Sequence, residues 1–124
     1  MNELVQKLTK EQPVEASLRP EPTAEELQAA IERRYVHIKF TETRGGTELG
    51  VPLDEAASDW SGADFAAGTG EVKVVGNLIL DYVRVRLHAT VDVATLKGTG
   101  RLEILGEVEP GDVTVEPAAA RQPN

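Results

Sequence analysis

The sequence predicts a mainly β protein, a small antiparallel barrel or sandwich of five or six strands with one helix, residues 23–34, packed against it. Three observations carry this prediction. Val83, Val85, Leu87, Ala89, Val91 and Val93 alternate without a break against Arg84, Arg86, His88, Thr90 and Asp92, the period of two that a half-buried strand requires. The same period recurs at Val36, Ile38 and Phe40 and, beyond the turn at Arg44-Gly45-Gly46, at Leu49, Val51 and Leu53, as in a hairpin. Thr23-Ala24-Glu25-Glu26 has the form of a capping box, in which the Thr23 hydroxyl accepts from the Glu26 N–H and the Glu26 carboxylate reaches back to the Thr23 N–H.

Taken in order, Leu4, Val5 and Leu8 fall on one face at helical spacing, while Pro13, Pro20 and Pro22 stop any helix from continuing. Residues 1–22 are therefore expected to be a flexible N-terminal segment and Pro-rich linker, residues 23–108 a single core domain, and residues 109–124 a tail. In the helix, Leu27, Ala30 and Ile31 form the apolar stripe, and Arg33 and Arg34 suit its C-terminal dipole. Pro52 cannot donate to a ladder, so the strand it ends lies at a sheet edge or leaves the sheet there. Residues 54–70 form a long loop in which Trp60 and Phe65 are expected to pin the chain over the core. Strands follow at 71–80, 83–93 and, after a turn at Lys97-Gly98-Thr99-Gly100, at 101–108. A short strand at Val113-Thr114-Val115 is a further expectation.

Composition narrows the function. Lys and Arg number 13 against 21 Asp and Glu, a formal net charge of −8, which speaks against nucleic acid or an anionic membrane surface as a partner. No apolar run approaches the length of a spanning helix, and Met1-Asn2-Glu3-Leu4-Val5 is not the start of a signal peptide, so the expected location is cytoplasmic. With no cysteine, disulfides, zinc–thiolate sites and thiol nucleophiles are excluded.

Segments 68–76 and 98–106 repeat one pattern, Gly-Thr-Gly followed by alternating apolar and charged residues, with the charges reversed in sign. In a meander they would flank the 83–93 strand, placing Glu71, Lys73, Arg101 and Glu103 beside Arg84, Arg86 and His88 as cross-strand pairs. The Gly-Thr-Gly runs lack the lysine and the strand–loop–helix setting of a phosphate loop and read as turns. Asp54, Glu55, Asp59 and Asp64 do not match an EF-hand, and His37 and His88 are too few for a zinc site, so no metal or other cofactor is expected. No nucleophile with a nearby base is evident. Val75-Gly76-Asn77-Leu78-Ile79-Leu80, followed by a break and an alternating strand, resembles a hairpin of lipocalin-like proteins; the resemblance implies apolar ligands and carries no site residue across.

Two functions follow. The first is a non-catalytic accessory or interaction subunit of a larger assembly, with Leu4, Val5 and Leu8 as the partner-binding residues of a tethered peptide. The second is a small barrel that binds an apolar small molecule, or acts without cofactor as a cyclase or isomerase. Its ligand-binding residues would be Tyr82, Arg84, Arg86, His88 and Trp60. The aliphatic face of the 83–93 strand is the better core, which would turn the arginines outward. A small core with one Trp, two Tyr and two Phe also predicts a homodimer through the strand at 101–108.

Overall fold

A computed structural model of the chain describes residues 3–108. The elements are α1 (Glu3–Lys7), β1 (Gln12–Ser17), α2 (Ala24–Glu32), β2 (Tyr35–Phe40), β3 (Thr47–Pro52), β4 (Glu71–Leu80), β5 (Val83–Asp92) and β6 (Lys97–Glu107). The six strands form one sheet in the order β3-β2-β1-β6-β5-β4, every neighbouring pair antiparallel. The sheet curls into a half-barrel. Its inner face carries Val36, Ile38, Phe40, Leu49, Val51, Val72, Val74, Val85, Leu87 and Leu102, all buried, and among the described residues no polar or charged side chain is buried. The alternation in β5 is realised as expected, with Val83, Val85, Leu87, Ala89 and Val91 inside.

Helix α2 begins where the capping motif places it, but only half of the box forms. The Glu26 N–H donates to Thr23 Oγ1 at 3.1 Å, whereas the Thr23 N–H donates to the Glu21 carbonyl at 3.0 Å. The helix ends at Glu32, and Arg34 takes a left-handed conformation, φ 60°, that turns the chain directly into β2. At the β4–β5 hairpin both turn residues, Asp81 and Tyr82, have positive φ, the pattern of a tight two-residue turn whose twist matches the strands. Trp60 and Phe65 are half-buried and pack on the core, as their size in a loop predicts.

The structure corrects the reading of residues 1–22 as a flexible segment and linker. Residues 12–17 are β1, a central strand paired with β2 on one side and β6 on the other. Pro13 is compatible with that position. Its carbonyl accepts from the Thr41 N–H, so a proline N–H would also have faced β2's side, and Phe40 is already the last residue of β2. Helix α1 is likewise part of the fold. Val5 and Leu8 are buried in the core, Leu4 packs against it, and the Leu8 carbonyl accepts from the Leu102 N–H at 2.7 Å, just beyond the last β6 residue paired with β1. These three residues are spent on the chain's own core and do not form a tethered docking peptide.

The second Gly-Thr-Gly run also differs from expectation. It lies within β6, and the turn is formed earlier, where Asp92 Oδ1 accepts from the N–H groups of Ala94 and Thr95. Gly100 lets β6 pass between its two neighbours: a side chain there would sit 3.0 Å from Ala89 Cβ and 3.3 Å from Val14 Cγ1. The expected strand at Val113-Thr114-Val115 and the tail lie outside the described residues.

Candidate binding cleft at the half-barrel seam

Strands β3 and β4 occupy the two ends of the sheet order, and the curl brings them together at one point. The Asp54 N–H, just past β3, donates to the Val75 carbonyl of β4 at 2.8 Å. Beside it Gly76 faces the Pro52 carbonyl and Val51 Cγ1 so closely that a side chain at Gly76 would overlap both. Beyond that contact the edges leave a cleft of about 430 Å³. Leu49, Leu78 and Val85 from the inner face line its floor, and Tyr35, Ile79 and Leu105 line its outer walls. Tyr35 is 43 % and Leu105 48 % exposed, two of the largest apolar side chains that the described residues leave to solvent. Leu105 owes its position to a bulge: Val85 pairs with Ile104 and Arg84 with Gly106, which leaves Leu105 as the extra residue of β6.

The sheet disperses the five residues expected to bind a ligand together. Arg84 reaches the cleft. Arg86 is held on the outer face, Nη2 donating to Asp54 Oδ2 at 2.9 Å and Nη1 to Asn77 Oδ1 at 2.7 Å. That hydrogen bond from Arg86 holds the Asp54 carboxyl below its ordinary range. His88 Nε2 lies 2.9 Å from Glu103 Oε1, and this contact lowers the Glu103 pKa. Tyr82 stands on the β4–β5 turn, 62 % exposed. Trp60 lies under the Arg34 guanidinium, 5.1 Å from its ring centroid, while Arg34 grips both oxygens of Glu55 at 3.0 and 3.1 Å. Of the expected charge ladder, His88 and Glu103 meet, whereas Arg86 takes a partner from the loop. Arg84, Arg86 and His88 stand on the face of β5 opposite the buried Val83, Val85, Leu87, Ala89 and Val91.

Tyr35, Asn77 and Ile79 are not expected as binding residues from the sequence pattern, and Leu105 is expected only as part of the apolar strand that would dimerise, although a signal is present. In Leu78-Ile79-Leu80 and Ile104-Leu105 apolar residues run consecutively, so each run must place an apolar side chain on the outer face of a strand. The patch expected to dimerise is correspondingly smaller than its sequence: Leu102 and Val108 are buried, Ile104 is half-buried, and Leu105 alone is exposed.

The acidic loop spends its carboxylates on its own backbone. Asp54 Oδ1 accepts from the Ala56 and Ala57 N–H groups, Asp59 Oδ1 from Ser61, and Asp64 Oδ1 from Ala67. Among the described residues no group of three or more His, Asp or Glu side chains converges as a metal site would require, and no helix is long and apolar enough to cross a membrane. No protein-family model and no curated protein matches the chain.

Proposed function

We propose that the protein is a non-catalytic interaction module, an accessory subunit that holds a protein partner at the seam between β3 and β4. The observation that carries this reading is the contrast between an inner face of buried apolar side chains and a cleft whose outer walls expose Tyr35 and Leu105, with Ile79 half-buried beside them. Apolar surface gathered in a concavity and rimmed by polar groups is the usual form of a recognition site. The docking element moves from the N-terminal peptide, which the core consumes, to the seam.

Site-specific photo-crosslinking tests the reading in cells that naturally make the protein. A photoreactive phenylalanine analogue at Ile79 should yield one discrete adduct, and the same analogue at the exposed Glu25 of α2 should not. Identical adducts from both positions, or none from Ile79, would contradict it.

The cleft volume favours a second reading, since about 430 Å³ falls within the range of small-molecule sites. An elongated apolar carboxylate could lie along Ile79 and Leu105 with its head group at Arg84. Saturable stabilisation by decanoic acid, lost in Arg84→Ala, would favour this reading over a protein partner.

A further inference from the structure

We propose that the cleft takes up an extended segment of the partner protein as a seventh strand, paired antiparallel to β4 at Asn77 and Ile79, with a carboxylate of that segment held by Arg84. The inference rests on the interaction-module reading and names the form of the partner.

The β4 edge supplies the first argument. The hairpin through Asp81-Tyr82 pairs Leu80 with Val83, so residues 80, 78 and 76 turn their backbone groups toward β5 and residues 79, 77, 75 and 73 turn theirs away. The chain's own loop completes this outer edge up to a point. Lys73 exchanges both backbone bonds with Asp59, at 2.9 and 2.6 Å. The Val75 carbonyl accepts from the Asp54 N–H, and the Val75 N–H donates to Ser58 Oγ at 3.0 Å. Completion stops there. The next outward groups, on Asn77 and Ile79, face the cleft, and neither β3 nor any loop among the described residues pairs with them. On the opposite wall, the Leu53 N–H donates to the Arg34 carbonyl, which by alternation turns the backbones of Glu48 and Gly50 away from β2 and into the same cleft. Two strand edges thus face one gap, a template for an added strand.

Side-chain chemistry narrows the occupant. A strand in the gap would point alternate residues inward onto Leu49, Leu78 and Val85, so those positions must be apolar. Its outward residues would lie beside Arg84. Arg86 and Arg34 are each held by a carboxylate, at 2.9 and 3.0 Å, whereas among the described residues the Arg84 guanidinium, like those of Arg33, Arg44 and Arg101, makes no hydrogen bond or ion pair, and of these four it is the one that lines the cleft. An uncommitted guanidinium at the mouth of an apolar cleft is complementary to a carboxylate on the incoming segment.

The test uses the full ¹⁵N-labelled chain and a blocked synthetic heptapeptide, Thr-Val-Asp-Val-Thr-Val-Thr, as probe. Binding should be saturable and should slow amide exchange at Asn77 and Ile79 by about tenfold or more, while Arg84→Ala should weaken binding about tenfold without changing the free protein's melting temperature. Replacing the probe's Asp by Asn should weaken binding to the native chain but not to the Arg84→Ala chain. Binding that protects neither amide, equal affinity for both probes, or a free protein that is already a dimer with both amides protected would overturn the proposal. If the heptapeptide fails while the crosslinker at Ile79 still captures a partner, strand addition is wrong and the interaction module stands. Failure of both removes the module as well.

Discussion

Gly76 on β4 lies against the Pro52 carbonyl on β3 with no room for a side chain between them. This contact draws the two ends of the sheet together and sets where the cleft begins. Gly76→Ala should therefore act as an overpacking substitution, lowering stability by about 1 to 3 kcal/mol and prising the seam apart. Urea denaturation of the native and substituted chains measures the loss. An unchanged midpoint would mean that the seam is not closed at this point.

The orientation of β5 gives a paired prediction. Val85 is fully buried, and an aspartate there would bury a charge with no partner, costing more than about 3 kcal/mol. Arg86→Ser removes an outer-face bond to Asp54 and should cost several-fold less. Equal losses from the two substitutions would mean that the sheet is inside out.

Helix α1 should matter to folding, contrary to what a tethered peptide implies. Leu8 is fully buried and caps the β6 edge through its carbonyl, so Leu8→Ala should lower stability by about 2 to 5 kcal/mol. Deleting residues 1–17 removes central strand β1 and should abolish cooperative unfolding. A truncated chain that melted like the native one would restore the linker reading.

Much of the fold was legible because it is local. The β4–β5–β6 meander follows from an alternation that runs unbroken through β5 and over parts of β4 and β6, and α2 from its cap and stripe. Strand β1 was not, because Pro13, Pro20 and Pro22 mask a strand with only Val14 and Ala16 as inward apolar residues, and its place between β2 and β6 is set by partners distant in sequence. The site was less legible still. Arg86 finds Asp54 across 32 positions, an encounter created by sheet curl and loop path, which alternation along one strand does not encode. Leu105 reaches the cleft through a bulge, a change of register that periodicity cannot locate.

Acid should weaken the loop's attachment. Hydrogen bonds from Arg86 and Arg34 hold the carboxyls of Asp54 and Glu55 below their ordinary values of 3.8 and 4.5. Because each binds its proton more tightly in the unfolded chain, its contribution is complete above those ordinary values and is lost as pH falls through the lower folded ones. The urea midpoint should therefore decline below about pH 4.5, and Asp54→Asn should make the decline shallower. The same decline in the Asp54→Asn chain would contradict the assignment.

The seam is open where the outer edge of β4, completed at Lys73 and Val75, runs on to Asn77 and Ile79 without a backbone partner among the described residues. Residue-resolved hydrogen exchange on the free protein measures this directly. The amides of Gly76 and Leu78, which face β5, should be strongly protected, as should those of Lys73 and Val75, whereas the Asn77 and Ile79 amides should exchange at close to the rate of unstructured peptide. Protection at Asn77 and Ile79 equal to that at Gly76 and Leu78 would mean that the seam is already filled, and would contradict the account.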